Sequence, residues 1–104
     1  MSEFRKVTTV SELPPCGEGR EFTIEQRTIC IANENGKCFA MDNVCAHRGG
    51  PLGQGIVEDG KMICPWHGWQ FDLVTGKSEQ SATLGVEVYE LKIRGEDVLV
   101  KIEP

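Results

Sequence analysis

The sequence predicts an all-β fold in which short antiparallel strands form a single domain, residues 1–104. No segment shows the long apolar periodicity of an amphipathic helix. Short runs of strand-forming residues are separated at close intervals by Gly, Pro and Asn, which are typical of turns. Near the C-terminus, apolar and polar residues alternate with the two-residue period of a half-buried strand.

Nine strands are expected between these turns, at residues 5–9, 21–24, 28–33, 37–41, 55–58, 61–64, 69–72, 86–93 and 97–102. The turn signals between them are Glu34-Asn35-Gly36, Glu58-Asp59-Gly60, Thr75-Gly76 and Arg94-Gly95-Glu96. Within residues 86–93 the alternation changes phase near Tyr89-Glu90. A β-bulge at that point is expected to restore the pattern.

Five cysteines are present, and three of them are expected to be small apolar fillers: Cys16, Cys30 and Cys38. Asn35-Gly36 predicts a two-residue hairpin turn, whose register pairs Cys30 with Met41 and Cys38 with Asn33. Cys30 and Cys38 then point to opposite faces of the sheet, so a disulfide between them is not expected.

The formal net charge is −5, and 26% of the residues are charged. Such a chain lacks the basic patches that nucleic acids and anionic membranes require. The negative charge either suits a partner with a basic docking face or simply maintains solubility. The first seven residues contain no apolar run and no twin arginine, and no stretch approaches the ~18 apolar residues of a membrane span. A cytoplasmic, unanchored protein is therefore expected.

The two histidines of the chain each follow a cysteine closely, in Cys45-Ala46-His47 and Cys64-Pro65-Trp66-His67. Two adjacent loops with this spacing can bring two thiolates and two imidazoles to one inorganic centre. A zinc site uses the same ligand types, but more often as C-x₂₋₄-C with H-x₃₋₅-H. Glycines after His47 allow the backbone to approach a bulky group and to donate N–H groups to it.

From about residue 43 to residue 76 the sequence strongly resembles Rieske ferredoxins. The resemblance rests on Cys45-Ala46-His47-Arg48-Gly49-Gly50-Pro51-Leu52, on Cys64-Pro65-Trp66-His67-Gly68-Trp69-Gln70-Phe71-Asp72, and on Thr75-Gly76. It implies a small β-sandwich framework of antiparallel sheets with an inserted cluster-binding subdomain at about 43–76. It also implies one Rieske-type [2Fe–2S] cluster.

The resemblance assigns a role to each ligand. Cys45 and Cys64 would bind one iron as thiolates, and His47 and His67 would bind the outer, redox-active iron as neutral imidazoles. The exposed imidazole edges would then be the exit for electrons. Trp66, between the second ligand pair, and Trp69, just beyond it, are expected to shield the cluster from water, to join the docking surface, or simply to pack in the cluster subdomain.

Departures from the high-potential members of the family predict a low reduction potential. Those members carry a disulfide between the ligand loops, and Gly50 and Trp66 stand at the two cysteine positions here. They also carry a serine and a tyrosine whose hydroxyls donate to cluster sulfurs, where this chain has Trp69 and Phe71. Fewer hydrogen bonds disfavour reduction, so the potential should lie toward the low end of roughly −150 to +300 mV.

The expected function is one-electron transfer from a flavin-dependent ferredoxin reductase to a terminal Rieske-type oxygenase. Both partners would dock transiently near His47 and His67 on a monomer. The alternative is the small subunit of an assimilatory nitrite reductase, and a zinc-bound module is a further rival. The oxygenase itself is not expected, because both histidines are committed and none remains for a 2-His-1-carboxylate iron site.

Overall fold

The computed structural model describes residues 3–46 and 49–102. Its ten strands are β1 (Glu3–Thr9), β2 (Gly19–Ile24), β3 (Arg27–Glu34), β4 (Lys37–Asp42), β5 (Ile56–Glu58), β6 (Lys61–Ile63), β7 (Gln70–Asp72), β8 (Val88–Tyr89), β9 (Leu91–Arg94) and β10 (Asp97–Ile102). Two 3₁₀ turns, Val10–Glu12 and Leu52–Gln54, are the only helical elements in these ranges. No helix in the described part of the chain is long and apolar enough to cross a membrane.

A central sheet with the strand order β2-β3-β4-β8 is covered on both faces. Its strand β3 contains four consecutive residues without solvent exposure, namely Ile29, Cys30, Ile31 and Ala32. An apolar run without polar alternation is what a strand needs when both of its faces are buried.

One face of the central sheet packs on an outer sheet with the strand order β1-β10-β9. The buried residues of this contact are Ile29, Ile31 and Ala40 from the central sheet and Val98, Val100 and Ile102 from β10. All strand pairings in both sheets are antiparallel. The expected β-sandwich of antiparallel sheets is therefore confirmed.

The opposite face of the central sheet supports a third sheet, with the order β5-β6-β7. The core on this side contains Cys30, Ala32 and Met41 together with Met62 and Phe71. The third sheet lies within the 43–76 segment that the sequence predicts to be the cluster-binding subdomain. It supplies the hairpin from which the second ligand loop projects.

The expectation of one bulged strand over residues 86–93 is wrong. Strand β8 pairs with β4 of the central sheet, whereas β9 pairs with β10 of the outer sheet. Glu90 lies between them, and its carbonyl accepts a hydrogen bond from the Lys101 N–H at 2.8 Å. The phase change in the sequence therefore marks a strand that switches sheets, and the register shift of the outer sheet lies in β1, between Lys6 and Thr8.

The hairpin register around Asn35-Gly36 is confirmed, since Cys30 pairs with Met41 and Cys38 with Asn33. Cys30 is fully buried, and burial followed by the charge of Glu21 raises its pKa to about 12. Cys38 is partly buried and faces the opposite core. Cys16 was also expected to be an apolar filler, and this is wrong. It is exposed, because the turn before β2 directs it toward solvent, and its Sγ accepts a hydrogen bond from the Asn35 N–H at 3.3 Å.

Candidate metal centre

The first ligand loop follows β4 and is closed by its own backbone. Val44 forms an isolated bridge with Pro51. Inside this bridge the Cys45 N–H donates to the Gly50 carbonyl at 2.9 Å, and the Gly49 N–H donates to the Cys45 carbonyl at 2.8 Å. Cys45 is consequently only 2% exposed. The expected ligand His47 and its neighbour Arg48 lie outside the described residues.

Asn43 anchors this loop to the central sheet. It is the one buried polar residue of the described chain, at 6% exposure. Its Oδ1 accepts from the Gly53 N–H at 2.7 Å, and its Nδ2 donates to Glu21 at 2.6 Å. Its backbone carbonyl also accepts from the Leu52 N–H at 2.8 Å. Asn43 was not identified from the sequence, although an asparagine directly after a strand is a signal for side-chain-to-backbone bonding.

Asn43→Ala is expected to lower the free energy of unfolding by about 2 kcal/mol, because it leaves a buried N–H without an acceptor. The loop would also fray, so iron should be lost to a chelator faster than from the parent protein. Chemical denaturation and iron release would be measured together. Gln54→Ala is the matched control: Gln54 Nε2 donates to the same carboxylate at 3.1 Å from an exposed position. An equal loss in both variants would contradict the anchoring role.

The second ligand loop is the turn between β6 and β7. The Cys64 N–H donates to the Trp69 carbonyl at 2.8 Å, which closes a four-residue turn at 65–68. His67 and Gly68 both have positive φ, at 69° and 71°. Few non-glycine residues adopt this conformation, and here it lets the chain reverse directly after the ligand pair. All four turn residues are exposed, whereas Cys64 is 1% exposed.

The two loops bring Cys45 and Cys64 together. Their thiols lie within hydrogen-bonding reach of each other. Burial raises the pKa of the Cys64 thiol, the Trp66 N–H opposes this as a hydrogen-bond donor, and the neighbouring Cys45 adds to the rise. The Cys64 thiol therefore keeps its proton in the absence of a metal, and a cation that displaces this proton gains a thiolate ligand beside Cys45.

Gly50 permits this approach. A Cβ atom added at Gly50 would lie 2.8 Å from Cys64 Sγ and 2.9 Å from Trp66 Cγ. Any larger residue would push the loops apart. The positions that the resemblance associates with a disulfide thus do face each other, and here a glycine and an indole ring fill them.

The structure supports the predicted ligands to different extents. It brings Cys45 and Cys64 together and sets His67 on the exposed turn that begins after Cys64. Within residues 3–46 and 49–102, no three side chains of His, Cys, Asp or Glu are grouped closely enough to hold a metal ion. The cysteine pair therefore carries the structural argument for the site.

Comparison with known proteins identifies the family. The Rieske [2Fe-2S] domain matches residues 3–90. The chain belongs to the Rieske [2Fe–2S] domain family. This family implies one Rieske-type [2Fe–2S] cluster, which agrees with the cofactor expected from the sequence and not with a zinc centre.

Among Rieske relatives, the biphenyl dioxygenase ferredoxin subunit of Pseudomonas sp. (strain KKS102) is 33% identical over 99 residues, or 93% of this chain and 90% of that protein. The ferredoxin component of the alkene monooxygenase system of Xanthobacter autotrophicus is 32% identical and is covered over 73% of its length. Human apoptosis-inducing factor 3 is 33% identical over 86 residues, but this chain spans only 14% of its length. The expected resemblance to ferredoxin components, rather than to a whole oxygenase, is confirmed by the relatives that match over most of their length.

Solved structures share the fold. The ferredoxin of carbazole 1,9a-dioxygenase from Nocardioides aromaticivorans IC177 has a TM-score of 0.82 at 25% identity, over 93% of this chain and 95% of that one. A putative NADH-dependent nitrite reductase small subunit from Mycobacterium tuberculosis has a TM-score of 0.87 at 19% identity, over 100% and 98%. Backbone similarity alone therefore does not separate the two expected functions.

The donor chemistry of the described residues fits a Rieske cluster. Two buried cysteines approach each other at the ends of two loops, and glycine occupies the position where a side chain would separate them. The backbone N–H of Trp66 donates a hydrogen bond to Cys64 Sγ at 3.4 Å, as is expected for a ligand sulfur.

Proposed function

We propose that this protein is a one-electron carrier that takes electrons from a flavin-dependent ferredoxin reductase and passes them to a terminal Rieske-type oxygenase. The observation that carries the proposal is the pair of buried, adjacent thiols of Cys45 and Cys64 at the ends of two loops. Relatives named as ferredoxin components of oxygenase systems, at 32% and 33% identity over most of their length, support the choice of partners.

Four residues would hold the cluster, with Cys45 and Cys64 on one iron and His47 and His67 on the other. When bound, the cluster supplies a one-electron redox couple. The two cysteines are positioned by backbone hydrogen bonds of their own loops and are buried against the core beneath the third sheet. The exposed turn at 65–68 holds His67 outward, where a partner can approach its imidazole edge.

The docking surface would be the exposed turn at 65–68 together with Val44. Val44 is 55% exposed and Trp66 is 49% exposed. The described loop residues 43–46 and 63–69 contain no Asp, Glu, Lys or Arg. A small surface whose described residues carry no charge and include an aromatic side chain suits short-lived complexes of a monomeric carrier, because little polar surface must be desolvated there at each encounter.

The potential is proposed to lie toward the low end of the Rieske range. Phe71 is fully buried beside Cys45 and Cys64 in one core and has no hydroxyl to donate. Trp69 packs against the same core. A cytoplasmic location is also proposed, since the three cysteines that are not proposed as ligands, Cys16, Cys30 and Cys38, form no disulfide, and free thiols suit a reducing compartment.

Electron paramagnetic resonance of the dithionite-reduced protein tests the proposal, together with iron and acid-labile sulfide analysis. A red-brown protein with two irons, two sulfides and the low average g-value of mixed His/Cys ligation is expected. A colourless protein that contains zinc would overturn the proposal. Stable co-purification with a large reductase chain would instead favour the nitrite reductase subunit.

A further inference from the structure

Trp66 lies at the contact between the two ligand loops, although half of its surface is exposed. From this contact we propose that Trp66 is a positioning residue. Its indole packs on Gly50 and so holds the second loop against the first. The indole also shields the Cys64 sulfur, which keeps water from the cluster and lowers the reduction potential of the cluster. The inference rests on the proposed cluster.

The contact with Gly50 is close and specific. The ideal Cβ position of Gly50 lies 2.9 Å from Trp66 Cγ and 3.0 Å from Trp66 Cδ2, so the indole rests directly on the glycine backbone. The same position lies 2.8 Å from Cys64 Sγ. Gly50 is buried and has no positive φ, so its lack of a side chain serves this close approach rather than an unusual backbone conformation.

The Cys64 sulfur is protected from solvent although the turn that follows it is exposed. Residues 65–68 are all exposed, yet the adjoining Cys64 is only 1% exposed. The Trp66 backbone N–H donates to Cys64 Sγ at 3.4 Å. The Trp66 ring and this sulfur also both lie within 3.0 Å of the same point, the ideal Cβ position of Gly50. No disulfide joins the loops, because all five cysteines are free. Packing of the ring on Gly50 therefore holds the loops together at this point.

The direction of the effect on potential follows from charge. With two sulfides, two thiolates and two neutral imidazoles, a cluster of two ferric irons would have no net charge, and its one-electron-reduced form would have a charge of −1. Water stabilises the more highly charged state, so excluding water disfavours reduction. Removing the indole should thus raise the potential, and it should also open the cluster to chelators.

Trp66→Ala, Trp66→Phe and the control Val74→Ala test the inference. Val74 is 69% exposed on the turn after β7, which contains none of the proposed ligands. Trp66→Ala should shift the midpoint of a spectroelectrochemical titration to a more positive value and speed iron loss to a chelator about tenfold. Trp66→Phe, which keeps a ring, should restore most of both properties, and Val74→Ala should change neither.

A double-mutant cycle with Gly50→Ala identifies the contact itself. The added methyl group meets both the indole and Cys64 Sγ, and Trp66→Ala removes one of these clashes. The double variant should therefore lose iron more slowly than the two single effects combined predict. Additive effects, or Trp66→Ala with an unchanged midpoint and iron-loss rate, would overturn the inference. The spectrum of the parent protein distinguishes failure of this inference from failure of the proposed function. If the parent protein gives a normal Rieske signal and the Trp66 variants are unaffected, only the inference fails. If the parent protein gives no Rieske signal, the proposed function itself fails.

Discussion

Cys64→Ala is expected to give a colourless protein without iron or acid-labile sulfide. Cys64 is buried beside Cys45, so no other described thiol can replace it without movement of the core. Loss of one of two thiolates leaves the inner iron with an incomplete set of protein ligands, and the cluster should not assemble.

Cys38→Ala is the matched control for this prediction. Cys38 is partly buried and faces the other core, where the sandwich sheets meet. Its substitution should cost about 1 kcal/mol of stability and leave iron, sulfide and colour unchanged. Far-ultraviolet circular dichroism would establish that both variants fold. If Cys64→Ala retained two irons and two sulfides, Cys64 would not be a ligand.

The strands that were predicted well from the sequence are those whose pattern is local. The hairpin around Asn35-Gly36 depends on two adjacent turn residues, which set its register, and its cross-strand residue pairs were predicted correctly. The turn between β2 and β3 gave no such signal: it uses Glu25 and Gln26 at φ 49° and 70°, without a glycine. The switch at Glu90 could not be distinguished from a bulge, because a phase change in alternation has the same appearance whether the strand kinks or changes sheets.

The site, like the fold, was only partly predictable from the sequence. Cysteine and histidine types at a fixed spacing were sufficient to propose the ligands, since their chemistry does not depend on packing. The support for those ligands was not visible in the pattern. Asn43 contacts Glu21, which is 22 positions away, and Gly50 meets Trp66 across two loops. Contacts of this kind exist only once the sheets have brought the loops together.

His67→Cys is expected to lower the reduction potential by on the order of 100 mV, because it exchanges one of the two imidazoles that separate Rieske centres, which begin at roughly −150 mV, from plant-type clusters with four cysteines at about −400 mV. A third thiolate adds negative charge to the cluster, which favours the oxidised state. The average g-value should move toward that of all-cysteine ligation, because the outer iron would exchange an imidazole for a thiolate.

His67→Asn separates loss of the ligand from disturbance of the turn. His67 has φ 69°, and asparagine tolerates this left-handed conformation better than most residues, so the turn at 65–68 should persist. Asparagine offers no imidazole, so the Rieske spectrum should disappear even though the fold remains. Paramagnetic resonance and potentiometric titration of both variants provide the measurements. If His67→Asn kept the parent spectrum and midpoint, the outer iron would have to be held by another residue, and electron exit through the exposed turn would lose its physical basis.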